Sequence, residues 1–560
     1  MSGRLDEVRD GLGEFCAEAL REYGCPSVSV AVAERGEVVL AEAYGYADTA
    51  TGRPATPATA YGLASVTKPI TATAVCLAAD EGLLDLDQPV PVHVPVSGPV
   101  PVPVHVPLPV PAPVSALGPA SSAPRRALFA DHGRWPEPTV RQLLQHRGGF
   151  GAFYAWDYGD GARTVDADGY TALFREPGSG FEYANLGYRA LGRLLEAVTG
   201  QELGAFVRER VFEPLGLTGC QVARTYPGPA PSAVRYTVDG RAYPDYGCDH
   251  PGATLGWAPA GELALFAQSY ERLLKPETAA AMRAGLPVNA RVGYGLGWCV
   301  SYGEGPVVLS HGGGGGGVAS MAVAVPGRQL SLAVLTNCTA KGARDAIVRY
   351  VLDTLVPECG TERLSPLVPD PERPLTLPPG GVWAGGIGTP EGTIPIELRV
   401  LTEDQVEVRL GGGTNTGTGT RTGTDTGTAA DPATARSESV RTVAVAVAVA
   451  VASEAWDLRA VLPLQLPTAD ARINSPGLLL GLRREGERLT GVAHAYKNGD
   501  AEGLLGNFLS HPCELTTATE AATTTATTTA TATGPVTAVP TAAAQPASTS
   551  SARSTSAAEL

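Results

Sequence analysis

Residues 61–75 read YGLASVTKPITATAV. Proline is tolerated in a helix only within the first turn, so Pro69 makes the helix begin near Ser65, and the apolar run carries it to about Gly82. Positions i and i+3 project from one face of a helix, which sets the Ser65 hydroxyl beside the Lys68 amine. The neighbours of Lys68 are apolar or small. Such a setting depresses an ammonium pKa and leaves a neutral amine able to take a proton, which arginine cannot do. Composition also singles out Lys68: of 42 Lys plus Arg, four are lysine (Lys68, Lys275, Lys341, Lys497). A helix N-terminus turns free N–H groups toward whatever forms on that serine, which favours an oxyanion and suits acyl transfer. Ser-x-x-Lys alone equally describes a helix cap followed by a solvated lysine.

Two further segments carry polar groups in the right classes. In PGSGFEYANLGYRALGRLLEAVTG (177–200), Tyr183 and Asn185 stand between a glycine turn and an amphipathic helix. Two apart on a loop, they can point a phenol and an amide the same way, the phenol to relay protons and the amide to orient a carbonyl; otherwise they merely cap the next helix. In VVLSHGGGGGGVASMAVAVPG (307–327), His311 ends one strand-like run and six glycines precede the next. Bare backbone can approach a substrate closely and offer N–H groups, while the imidazole polarises or shuttles protons; the plainer reading is a flexible hairpin with a surface histidine. No Gly-Lys-Ser/Thr follows the glycines, so they are not read as a phosphate loop.

The chain around these segments has 560 residues, 44% hydrophobic, with 68 Gly, 47 Pro and a net charge of −15. That charge argues against a nucleic-acid partner, which needs a basic stripe. The first twenty residues lack the apolar core of a signal peptide and no stretch is long enough to span a bilayer, so no membrane association and a cytoplasmic location are expected. Nine scattered cysteines without a CxxC pair fit reduced thiols, and no histidine stands at ligand spacing, so no metal is expected. The organisation expected is a mixed α and β unit over 1–360, interrupted at about 90–125 by a Pro-Val alternation in which His93 and His105 are bystanders. A Pro-rich linker follows at 361–381, then a β-rich unit over 382–515 with a Gly-Thr tract at about 411–435, then a disordered Ala/Thr/Ser tail over 516–560.

Taken together and in this order, the three segments resemble the serine β-lactamase and penicillin-binding-protein-like family, nearest its class C β-lactamase, esterase and D-aminopeptidase branch. EGLLDLDQPV, VRQLLQHRGGF, FEPLGLTGC and YGLGW look like text of the same family, and the resemblance covers about residues 5–355. It implies an α+β fold, an antiparallel sheet flanked by helices with a helical subdomain. The β-rich region is similar to the small lipocalin-like barrels appended to some members, where it would cap the site or mediate oligomers. The resemblance further implies Ser65 as acylated nucleophile, Lys68 as its proton partner, Tyr183 as base and later acid, and Asn185 as a substrate-positioning amide. It puts His311 and Gly313 on the third motif, makes the N–H groups of Ser65 and Gly314 the oxyanion hole, and sets Trp257 beside the cleft or in the core. Implied too are a small ester, amide or D-peptide substrate and no cofactor. The sequence departs from the family at Gly317-Val318, where a proline and an aromatic are common, and at Gly148, where serine is usual. The alternative is a binding or scaffold protein that keeps the fold without the chemistry.

Overall fold

The computed structural model describes residues 2–90, 135–159, 164–360, 364, 373–411, 444–452, 456–466, 468, 477–496, 499–501 and 503–518. The Pro-Val alternation with His93 and His105, the Gly-Thr tract beyond Gly411 and the tail from 519 onward lie outside them.

Among the described residues twelve strands precede residue 337: β1 (Ser27–Glu34), β2 (Glu37–Asp48), β3 (Arg53–Pro54), β4 (Tyr61–Ala64), β5 (Gln221–Val222), β6 (Gly256–Ala258), β7 (Leu286–Pro287), β8 (Val292–Tyr294), β9 (Cys299–Ser301), β10 (Leu309–Gly315), β11 (Val318–Val325) and β12 (Leu330–Thr336). Nine of them form one antiparallel sheet in the order β3-β2-β1-β12-β11-β10-β9-β8-β7, and β4-β6-β5 form a second, small sheet. Among the helices are α1 (Ser2–Glu22), α2 (Thr67–Asp80), α3 (Val140–Leu144) and α4 (Asn185–Thr199).

The two-residue period of a strand sorts SVSVAVAE into two faces. Val28, Val30 and Val32 point to one side, where they pack with Val8, Leu12 and Cys16 of α1 and with Ile347 and Val351 of the helix Gly342–Leu355. Ala31 and Ala33 point to the other, into the core shared with Ala260, Leu263 and Ala264. Alanine on that face lets the helix Ala260–Ser269 lie close enough for Ser331 Oγ to donate to the Ala264 carbonyl at 2.7 Å. Each fully buried valine contributes about 1.5–3 kcal/mol of apolar burial, and β1 is buried along nearly its whole length.

Helix α2 is buried from Thr67 through Ala78, on every side, with Lys68 and three threonines among its apolar residues. It starts at Thr67 rather than Ser65 because Ala64 occupies left-handed backbone space, φ +45°, which turns the chain between β4 and the helix. The glycine run differs more from its sequence reading. His311 lies inside β10, and Gly312 to Gly315 continue the strand, each paired with β11 from Gly312↔Met321 to Gly315↔Val318. Pairing to a complete neighbouring strand supplies the order that glycine lacks by itself. Only Gly316 and Gly317 are left to make the turn.

The β-rich region is a closed eight-stranded barrel of β13 (Val382–Thr389), β14 (Gly392–Val400), β15 (Gln405–Leu410), β16 (Ala444–Val451), β17 (Leu458–Leu462), β18 (Gly477–Glu485), β19 (Arg488–Tyr496) and β20 (Leu509–Thr517). β13 closes on β20 with Ile387 opposite Cys513. Its interior is packed with Trp383, Ile387, Leu398, Val408, Leu480 and Leu482, and Leu375 and Leu377 of the Pro-rich stretch are buried with them. The architecture is the expected α+β unit followed by a small all-β one. Among the described residues no helix is long and apolar enough to cross a membrane, and no cluster of His, Cys, Asp or Glu could hold a metal ion.

Candidate active site

Ser65 follows the left-handed Ala64 at the end of β4, so the turn presents its hydroxyl at the N-terminal end of α2, where the Lys68 N–H already bonds the Ser65 carbonyl at 2.9 Å. Lys68 is wholly buried. Its Nζ lies 3.2 Å from Ser65 Oγ, 2.8 Å from Asn185 Oδ1 and 3.2 Å from the Ala253 carbonyl. All of these are neutral, and among the described residues no carboxylate pairs with the amine. Burial therefore dominates and holds the Lys68 pKa well below the ordinary lysine value.

Helix α4 opens at Asn185, which places Tyr183 and Asn185 against this pair. The Asn185 amide is engaged at both ends: Oδ1 accepts from Lys68 and Nδ2 donates to the Phe153 carbonyl at 2.8 Å. In this arrangement it positions the lysine and the 153 loop, whereas the family resemblance gave it a substrate. The Tyr183 ring lies under the Lys68 amine, 4.6 Å from its centroid. Burial raises the Tyr183 phenol well above its ordinary pKa, and a hydrogen bond with Ser65 only partly offsets this. The site thus favours a neutral lysine beside a neutral phenol, with the lysine the better proton acceptor of the two.

His311 reaches the same cavity from β10, its ring centroid 6.4 Å from that of Tyr183. Nδ1–H donates to the Gly312 carbonyl at 2.8 Å, which leaves Nε2 to accept from the Tyr294 hydroxyl at 3.0 Å. Burial first, and the Lys68 charge second, push the His311 pKa down to about 3, so this imidazole stays neutral. It is a buried polar wall; a surface histidine on a flexible hairpin is excluded.

β9 pairs with β10 only at Leu309 and Ser310, so among the described residues the edge from His311 to Gly315 has no strand partner on that side. Gly313 is required here for close approach: a Cβ would collide with the Leu63 carbonyl and with Ser320 Oγ. Ser320 Oγ donates to that carbonyl at 2.6 Å, tying β11 to the strand that leads into Ser65. A Cβ at Gly314 would fall 2.9 Å from Lys341 Cε. Trp257 is buried in β6 with Nε1 donating to the Ala223 carbonyl at 2.9 Å, and its ring walls a crevice beside Ala64. It is both a core tryptophan and a border of the site.

The sequence reading missed His146. This residue is buried at φ +54°, accepts from the Ala184 N–H at 3.2 Å, and packs against Tyr183 with centroids 4.2 Å apart and the rings tilted by 37°. Its Nε2 is buried without a partner, and burial, then Lys68 and His311, hold it well below the ordinary histidine pKa. Its only local signal is the adjoining Gly148-Gly149 of HRGGF. By sequence the aromatic stretch Tyr154, Trp156 and Tyr158 reads as a second aromatic wall of the cleft or as surface loop. Trp156 and Tyr158 are buried with Tyr243 and Tyr246, and the connection between β19 and β20 covers them: Asn507 Oδ1 accepts from the Trp156 N–H at 3.1 Å and Tyr158 Oη donates to the Leu505 carbonyl at 3.2 Å.

A family model described as Beta-lactamase matches residues 12–355. Esterase EstB of Burkholderia gladioli is 32% identical over 237 residues, 39% of this chain and 51% of its own. Protein flp of Staphylococcus aureus (strain N315) is 26% identical over 230 residues, 40% of each. The chain therefore spans about half or less of the length of these curated relatives. Among solved structures, SurE with D-Leu is similar in fold at a TM-score of 0.55 and 21% identity, over 86% of this chain and 97% of that one.

Proposed function

The chain belongs to the beta-lactamase family, and on that premise we propose that it is a serine hydrolase that cleaves an ester or amide bond through an acyl-Ser65 intermediate. One observation carries the reading: a wholly buried lysine, free of any carboxylate among the described residues, 3.2 Å from a serine hydroxyl at a helix N-terminus. Neutral Lys68 takes the Ser65 proton as Oγ attacks the carbonyl carbon. The developing oxyanion is received by the N–H groups of Ser65 and Gly314 on the open β10 edge. Tyr183, kept protonated by burial, gives its proton to the leaving group and is recharged from Lys68. Water attacks the acyl-enzyme by the same route in reverse. Asn185 and His146 hold Lys68 and Tyr183 in register, and His311 lines the site as a neutral dipole.

The stretch shared with Esterase EstB makes a small ester the first substrate to try, with D-amino-acid amides and β-lactams after it. The test is hydrolysis of a short-chain p-nitrophenyl ester by the full chain beside Ser65→Ala, with intact mass recorded during turnover. The expected result is turnover and an acyl mass gain in the wild type, and neither in the variant. Equal turnover in both would remove Ser65 as the nucleophile. A wild type that gains no mass from any activated ester, D-amino-acid amide or β-lactam would leave the scaffold reading.

A further inference from the structure

The weakest element of the proposed site is the turn after the glycine strand. Gly316 and Gly317 carry no side chains, and Gly317 sits at φ +67°, where a Cβ would collide with Arg235 and with the Tyr236 N–H. Such a turn has no intrinsic rigidity, yet it terminates the edge that is to receive an oxyanion. It is held from outside at two points. Tyr246 Oη donates to the Gly316 carbonyl at 2.8 Å, and the Gly317 N–H donates to Thr339 Oγ1 at 2.7 Å.

The second anchor leads into the barrel. The Thr339 hydroxyl in turn donates a hydrogen bond to Oδ2 of Asp500, in the connection between β19 and β20. The same carboxylate accepts from the Tyr243 hydroxyl and, at Oδ1, from the Val238 N–H at 3.1 Å. Asp500 is wholly buried. A buried carboxylate is tolerable only when its oxygens are hydrogen-bonded, and these three donors all belong to the hydrolase unit. Arg241 fixes the next residue by donating to the Ala501 carbonyl at 2.6 Å. The carboxylate is therefore satisfied only when the barrel is docked.

We propose that Asp500 is a positioning residue: acting through Thr339, it holds the Gly316–Gly317 turn and so sets the Gly313–Gly315 edge against Ser65, making the barrel part of the active site without lending it a reacting group. The inference rests on the hydrolase reading given above.

The experiment uses the full chain with Asp500→Ala, Thr339→Val, the double variant and Thr339→Ser. Removing a whole oxyanion donor costs about 10²–10³ in kcat, so a loosened one is expected to cost about tenfold to a hundredfold, with KM changed much less. Thr339→Ser keeps the hydroxyl and is expected to stay near wild type. The double variant is expected to be no worse than the worse single one, because both break one chain of contacts. Hydrogen exchange of the peptide spanning 309–325 provides a second readout: faster in Asp500→Ala and Thr339→Val, unchanged in Thr339→Ser. If Asp500→Ala does not fold, Asp500→Asn, which keeps one acceptor oxygen, replaces it in both measurements. Wild-type kcat and exchange in Asp500→Ala and Thr339→Val, losses that multiply in the double variant, or equal losses in Thr339→Ser and Thr339→Val would each overturn the inference. The hydrolase reading fails separately, if Ser65→Ala still turns over, and the exchange result stands whether or not the ester is a substrate.

Discussion

Around Ser65 the protein encloses Lys68, Asn185, His146 and His311 among neutral partners, and that enclosure changes the acidity of each titratable group it touches. The barrel encloses Trp383, Ile387, Leu398, Leu480 and Leu482 in an interior that is a packed core. Its buried His494, Asp500, Asn507, Ser510 and His511 lie on β19, β20 and their connection, where Ser510 Oγ donates to the Ala152 carbonyl and Tyr170 meets the His511 ring. One unit uses burial to tune chemistry; the other uses it for cohesion and keeps polar groups for the contact between them. Among the described residues the barrel interior is lined by its own apolar side chains, and the barrel meets the other unit through that polar contact.

The sharpest way to break this contrast is Lys68→Arg. Arginine cannot be neutral at working pH, and losing a general base lowers kcat by about 10²–10⁴-fold. Ester hydrolysis by the folded variant at the wild-type rate would show that Lys68 is cohesion and not chemistry. The pH profile tests the same point without a mutation. Burial lowers the Lys68 pKa, and the neutral amine is the active form, so kcat/KM is expected to rise with pH through a value well below 10.5. Tyr183 is raised, and its protonated form is the donor, so the alkaline fall belongs to the phenol and is expected to disappear in Tyr183→Phe. A rate that increases on acidification has the wrong sign for this assignment.

In the barrel the expected loss is of the other kind. Leu398→Ala removes a wholly buried side chain and should cost about 2–5 kcal/mol of stability, read by denaturant unfolding, with kcat of the folded fraction unchanged at low denaturant. A kcat that falls without a stability change would mean that the interior itself communicates with the site. The smallest effect is expected at Val447, 53% exposed on the outer face of β16, where Val447→Thr should shift stability by no more than about 0.5 kcal/mol.

How far the sequence was legible follows the range of the contacts involved. The Ser65–Lys68 pair was readable because residues three apart across one turn are neighbours by geometry alone, and Pro69 marked where that turn had to start. The start itself moved two residues, to Thr67, because the left-handed Ala64 answers to β4 packed on β6 and on β11, contacts with no trace in the local text. The glycines were read as a break because glycine is a turn residue in isolation; the complete register with β11 overrode that preference. Trp156 and Tyr158 stay open in the sequence between an aromatic wall and a surface loop because the residues that cover them, Leu504, Leu505 and Asn507, come some 350 positions later, on the barrel connection. His146 stayed hidden because a histidine before two glycines looks like any loop until Tyr183 is stacked against it.

By itself, then, the sequence determined the local elements, the serine beside its amine, the family, and the division into a mixed unit and a β-rich one, because periodicity and short spacings are set by the covalent geometry of neighbouring residues. The tertiary structure alone decided that Lys68 has no charge partner among the described residues, that Asn185 holds the lysine, that His311 is neutral, and that Asp500 closes the turn beside the oxyanion edge. Acidity depends on what surrounds a group in space, and at this site the surroundings come from segments distant in sequence, Asn185 117 residues and Ala253 185 residues from Lys68, joined only when the core closes.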